Sequence, residues 1–375
     1  MTLKWSIGLM TGTANDGYID IAALRTDGTN IVEFGPYEIS PYRDETVKEL
    51  IFKTYVEAKK WNFGGTDPDI FNVTENKITE EQSFAVEEFI NKYEIKKNDI
   101  SCIGFHGLTV LHKPVDLNNK YGQTRQLGDG QKMSDYLQLP VVNNFRSNDI
   151  EHGGQGAPLA PIYHLAIAKY IKEKNIVFLN IGGVSNITYI GDANELIALD
   201  CGPGNAPIDD FVRYHNKGLM DRDGNFAKLG NVNYDIVDEF MKNDFFNLPY
   251  PKSLDRNSFN FDNIYKLSLE DGCATMVKII AMGISEALKL LPKKPSRILT
   301  AGGGRKNHTI VNEINMETKI PCKNIDDYNL RGDAIEAEAF AFLAVRSLND
   351  LPLSFPSTTG VKHPVTGGVT SLKKL

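Results

Sequence analysis

Two short stretches of this chain repeat one design. GLMTGTANDGYIDIAAL, residues 8–24, runs from an apolar strand through a turn rich in Gly, Thr, Asn and Asp into an alternating strand. NIVFLNIGGVSNITYI, residues 175–190, does the same around Gly182 and Gly183. Strand, polar turn, strand is a hairpin signature. Its recurrence near the start of each half predicts two like α/β domains. The remaining pattern agrees. Strands are expected at 30–40, 99–105, 140–145, 195–200 and 297–300, and helices at 83–93, 158–171, 205–214, 274–291 and 333–348. The division predicted is 1–155, joined by the tail 350–375, and 156–349.

Each glycine turn has a plain reading as an ordinary hairpin turn. The other reading is a phosphate clamp, because N–H groups in tight glycine turns form anion-binding nests. In the first turn Gly12 and Gly17 permit close approach of a ligand, Thr13 supplies a hydroxyl, and Asp16 is a carboxylate suited to Mg²⁺ on a phosphate. Two such hairpins facing a shared cleft are the logic of the two-domain actin/hexokinase-like ATPase architecture. No Walker A sequence, GxGxxG or kinase HRD/DFG set competes with it.

Asp200, in DCGPGN, ends a buried-looking strand. Ligands of α/β proteins gather at carboxyl strand ends, so its carboxylate is placed as a general base or as a loop brace. Cys201 beside it reads as packing. AGGGRKN, with Gly302, Gly303 and Arg305, follows another strand. It reads as a strand–helix turn, or as a flat ligand surface on which Arg305 stacks on a base. His106 stands at a strand end. Arg146, Asp149 and Gln155 surround the glycines of FRSNDIEHGGQGAP, among them Gly156. Asp333 and Glu336 match a capping box, yet Glu336 shares a helix face with Phe340 and Leu343.

Composition narrows the classes. A net charge of −7 implies no general affinity for nucleic acid. Four scattered cysteines without CxxC fit a reducing compartment and argue against zinc. No apolar run is long enough for a bilayer, and the start is too short and lightly charged for a secretory signal. A cytoplasmic protein without a membrane partner is expected.

The order MTGTANDG, HGLTVLHKP, FRSNDIEHGGQGAPLAP, NIGGVSN, DCGPGN, PKSLDR, AGGGRKN, GDAIEAEAFAFLA resembles the anhydro-N-acetylmuramic acid kinase family over nearly the whole chain. The resemblance implies a kinase that uses ATP with Mg²⁺. Such an enzyme hydrolytically opens 1,6-anhydro-N-acetylmuramic acid and phosphorylates O6, in cytoplasmic peptidoglycan recycling, as a homodimer. It implies an ATP-binding hairpin spanning Gly12, Thr13, Ala14, Asn15, Asp16, Gly17, Tyr18 and Ile19, with Asp16 toward Mg²⁺. It makes Asp200 the catalytic base and AGGGRKN the adenosine-side loop, with Gly182 and Gly183 as the second phosphate turn. Glu336 and the HGLT and GGQGAP segments become sugar-facing. The family turn usually reads M-S-G-T-S-L-D-G, so Thr11, Ala14 and Asn15 depart from it, as do Leu108 and Asn144 in the sugar loops. The alternatives are a kinase for another 1,6-anhydrosugar, such as levoglucosan, and a non-catalytic sugar sensor of the same fold.

Overall fold

A computed structural model describes residues 3–11, 17–114, 122–254 and 258–373. The chain opens with a meander, β1 (Trp5–Thr11), β2 (Tyr18–Thr26) and β3 (Ile31–Pro41). Helices α1 (Thr46–Trp61) and α2 (Asp69–Lys92) lead to β4 (Ile100–Phe105). A separate hairpin, β5 (Leu108–Lys113) and β6 (Gln123–Leu127), precedes α3 (Gly130–Leu137), β7 (Val141–Asn143), α4 (Ser147–Glu151) and α5 (Pro161–Tyr170). A second meander follows, β8 (Ile176–Ile181), β9 (Val184–Ile190) and β10 (Leu196–Pro203). It continues into α6 (Ala206–Tyr214), α7 (Asn225–Leu229), α8 (Tyr234–Met241) and the long α9 (Leu269–Lys289). Then come β11 (Arg297–Ala301), α10 (His308–Thr318) and β12 (Cys322–Asn324), and last α11 (Ile335–Leu348), α12 (Pro356–Thr359) and β13 (Val369–Ser371).

The two main sheets have the orders β13-β7-β4-β1-β2-β3 and β10-β9-β8-β11-β12. In each, an antiparallel meander continues from its first strand into parallel strands, β4 and β7 or β11 and β12. Parallel pairing requires a helical crossover, which the intervening helices supply. The repeated order is the actin/hexokinase-like arrangement anticipated from the sequence, with β13 added at one edge.

Contacts divide the chain into Met1–Tyr170 with Ala334–Leu375, and Ile171–Asp333. The expected boundaries at 155 and 349 therefore shift. Tyr170 of α5 packs edge-on against Phe34 of β3 at 5.1 Å, and α11 lies on β1, β2 and β4. Both helices belong to the first unit. That unit's core joins Ile7, Leu9, Ile21, Phe89, Ile103 and Phe105. The second unit's core joins Val177, Leu179, Leu199, Phe211, Ile280 and Ile284.

Glycines set how close α11 sits. A methyl built on Gly8 would lie 1.9 Å from the Ala337 carbonyl oxygen, and one on Gly104 would lie 2.2 Å from that of Phe340. Glycine inside a strand often marks such an approach. It fixes the height of the helix whose first turn carries Glu336.

Candidate functional site

In the first unit the predicted residues collect at the carboxyl ends of β1, β4 and β7. Gly12, Thr13, Ala14, Asn15 and Asp16 lie outside the described residues. Gly17 has φ +82, and its carbonyl accepts from the Tyr42 N–H at 3.1 Å. Tyr18 faces solvent. Ile19 is 1% exposed and pairs with Thr11, so its side chain belongs to the core and offers a ligand nothing. The Thr11 hydroxyl donates to the Gly107 carbonyl at 2.8 Å, tying the first hairpin to the HGLT loop.

His106 is buried, with its ring 4.5 Å from that of Phe340. Its Nδ1 lies 2.8 Å from the Gly107 carbonyl oxygen, which can only accept, so Nδ1 carries the proton. Nε2 then accepts from Arg146 Nη2 at 3.0 Å. Burial and the Arg146 charge push the imidazole down to about 3, so it is neutral at physiological pH. A neutral ring with both nitrogens engaged orients neighbours and does not shuttle protons. Arg146 Nη1 donates to the Gly156 carbonyl at 2.8 Å. Burial lowers the guanidinium to about 10, against the charges of Glu336 and Asp149, and it remains a cation.

Asp149 is spent on the loop itself. One oxygen accepts from the Gly156 N–H and the other from the Thr359 hydroxyl, both at 2.6 Å. The Gln155 N–H donates to the Thr359 carbonyl at 2.8 Å. The glycine-rich loop is thus clasped by α12, from the C-terminal tail. Gly156, at φ +72, allows the turn. Glu336 is open to solvent, while surrounding protein raises its carboxyl above the ordinary range and the Arg146 charge opposes this.

Beside His106 is a cavity of about 170 Å³, lined by Phe105, His106, Thr124, Gln126, Asn143 and Asn144 among others. Sequence reading missed Gln126. Its Nε2 lies 3.2 Å from the His106 carbonyl and 3.3 Å from the Thr109 hydroxyl. Its Oε1 and the Thr124 hydroxyl are buried without a partner among the described residues. Buried polar atoms of that kind receive a water or a polar ligand. Asn144 sits at φ +53, a conformation asparagine tolerates, and accepts from the Ser147 hydroxyl at 2.5 Å. Leu108 is core.

In the second unit the carboxyl ends of β8, β10 and β11 carry the corresponding residues. Asn180, Asn186 and Asp200 are direct partners across β8, β9 and β10, so they share one sheet face. The asparagines escaped the sequence reading, which singled out only Gly182 and Gly183 of the second hairpin. The register slips between Asp200 and Gly202, and this bulge re-aims the strand end. Asp200 is only partly exposed. One carboxylate oxygen accepts from the Leu254 N–H at 2.7 Å. Burial raises the carboxyl to about 7, opposed by that hydrogen bond and by the Lys252 charge. Cys201 is 1% exposed, and burial and Asp200 push its thiol well above the ordinary range, so it is inert packing.

The Gly182–Gly183 turn is locked to GPGN. The Asn205 N–H donates to the Gly182 carbonyl at 2.7 Å, and the Gly204 N–H to that of Gly183 at 3.3 Å. Gly302 has φ +75, and the space above exposed Gly303 is open.

Arg305 differs from expectation. It pairs with Asp326 at 3.1 Å and Asp333 at 2.9 Å, donates to the Gly302 carbonyl at 3.1 Å, and its side chain is 2% exposed. A guanidinium so enclosed holds the loop's shape and is not available to stack on a base. Arg305→Lys should lower the melting temperature of the second unit, with a loss of about 1–3 kcal/mol, because an ammonium cannot reproduce the planar fork. Unchanged melting with weakened nucleotide binding would restore the direct role.

Among the described residues no helix is long and apolar enough to cross a membrane. A family model described as anhydro-N-acetylmuramic acid kinase matches residues 4–373. Proteins named anhydro-N-acetylmuramic acid kinase from Brucella anthropi and Rhizobium rhizogenes are 45% and 44% identical to this chain, each over 97% of it and 98% of their own length. One named anhydro-N-acetylmuramic acid kinase 2, from a Jannaschia species, is 43% identical over 98% of this chain and 97% of its own. With a family match across nearly all residues and relatives of matching length, the chain belongs to the anhydro-N-acetylmuramic acid kinase family, and it is an enzyme of the kinase class.

Proposed function

We propose that the chain uses ATP and water to open the 1,6-anhydro bridge of 1,6-anhydro-N-acetylmuramic acid and phosphorylate O6, with Asp200 as general base. The observation that carries this reading is the Asp200 carboxyl itself. It stands in the C-terminal half of β10, just before the bulge, one oxygen is held by a backbone N–H, and its pKa is raised to about 7. A base works best when its pKa lies near the working pH.

Asp200 takes a proton from the water that attacks C1. The C1–O6 bond breaks on the opposite face, as in an inverting glycosidase. The freed O6 attacks the γ-phosphorus, and ADP leaves. His106 and Arg146 orient the sugar, and Gln155 and Glu336 contact it, while Asp149 and Gly156 shape the loop. Residues 12–17, Gly182 and Gly183, with Gly302 and Gly303, take the nucleotide. Backbone N–H groups there stabilise charge on the transferring phosphoryl group.

Among the described residues no group of three or more His, Cys, Asp and Glu side chains is gathered as for a protein-held metal. Asp16 would be the carboxylate for Mg²⁺, which binds largely through phosphates and water. When bound, it neutralises phosphate charge. The reading also carries the family's place in cytoplasmic peptidoglycan recycling and a homodimer, which sedimentation would test.

The pH dependence follows from the base. Asp200 must be ionised, so kcat/KM should fall tenfold per pH unit below about 7 and level off above it. A profile flat from pH 5 to 8 would remove Asp200 from that role.

A further inference from the structure

Lys252 is 5% exposed, yet its ammonium touches no carboxylate among the described residues. It donates to the Phe245 and Phe246 carbonyls at 3.0 and 3.2 Å and lies 4.5 Å from the centre of the Phe245 ring. A buried cation is costly unless something nearby repays it. The chain around it points to what does. The Lys252 carbonyl accepts from the Asp200 N–H at 2.9 Å, and two residues later the Leu254 N–H donates to the Asp200 carboxylate at 2.7 Å. Residues 252–254 are therefore a strap that grips Asp200 from both its backbone and its side chain. The lysine pins that strap to the turn at Asp244–Asn247.

We propose that Lys252 is a positioning residue for Asp200: it pins the strap so that one carboxylate oxygen stays on the Leu254 N–H, and its buried charge favours the ionised carboxylate. This rests on Asp200 acting as the general base. Among the described residues the charged and titratable neighbours are few. Asp200 feels Lys252, Cys201 feels both, and Glu286 of α9 acts on Lys252. Burial pulls the lysine below its ordinary range, while the charges of Asp200 and Glu286 hold it up. The lysine and the aspartate thus support each other's charge.

Two readouts on the full-length protein test this. One is the Asp200 titration by carboxyl ¹³C NMR, assigned by its loss in Asp200→Asn. The other is the acid limb of kcat/KM. Lys252→Met should move both upward together by about one pH unit, and Lys252→Arg should return both most of the way. If Lys252→Met does not fold, Lys252→Gln keeps a donor for the carbonyls without the charge and should give the same shift. A rate reduced equally at every pH, with the Asp200 midpoint unmoved, would overturn the proposal. Near wild-type turnover in Asp200→Asn would instead remove the base reading, and the NMR midpoint would still report on Lys252 alone.

Discussion

Asp200→Asn should lower kcat by about 10²- to 10⁴-fold, the usual contribution of a positioned general base, while ATP affinity is retained. The amide keeps an oxygen for the Leu254 N–H, so the strap and the strand end should survive. The same variant should be more stable than the parent at pH 8. The reason is linkage. A carboxyl whose folded pKa is raised, here to about 7, binds its proton more tightly in the folded state. Its ionisation therefore costs stability, and that cost grows as pH rises from the unfolded value near 4 to the folded value near 7. The asparagine has no charge to desolvate. The gain in melting temperature should be present at pH 8 and vanish by about pH 4, at roughly 2–4 °C per kcal/mol for a unit of this size. A variant both less active and less stable at pH 8 would mean that Asp200 is a structural brace.

Gly104→Ala should be among the most damaging small substitutions in the first unit. Its new methyl would lie 2.2 Å from the Phe340 carbonyl oxygen, and backbone cannot swing aside as a side chain does. Either α11 lifts from β4 or the strand bends, at a cost of about 1–3 kcal/mol or more. The chemistry should suffer with the fold. Phe340 packs on the His106 ring, and Glu336 lies one turn before it on α11. The KM for sugar should rise more than the KM for ATP. Thermal melting with sugar and nucleotide titrations checks both, and melting equal to the parent would show that α11 does not rest where the glycines place it.

The elements legible in the sequence were those with a clean period. β1 and β8 are short apolar runs that lead into polar turns, β2 and β9 resume after those turns, and α9 keeps its apolar face for its full length, although it starts at Leu269, earlier than expected. β13 was not legible. Only three residues long and largely exposed, it has no apolar pattern and exists through pairing with β7. The β5–β6 hairpin was missed because the segment between its strands gives no tight-turn signal.

The same division runs through the site. Asp200 was legible as a candidate because a carboxylate that closes an apolar run is a local feature. Arg305 was misread because its partners, Asp326 and Asp333, arrive from a distant loop. Lys252 and Gln126 were invisible as site residues for the same reason. Each lies in a polar stretch typical of surface loops, and only the folded chain brings it beside Asp200 or His106. Asp149 looked like a ligand and proved to be the clasp between the glycine-rich loop and Thr359.

The central claim is a phosphoryl transfer that waits on opening of an anhydro bridge. Its most direct test is ADP release from ATP with and without 1,6-anhydro-N-acetylmuramic acid, with the sugar product followed by ³¹P NMR. The predicted result is ADP formed only with the sugar, matched one for one by N-acetylmuramic acid 6-phosphate. ADP release independent of the sugar, or no release with it, would contradict the account.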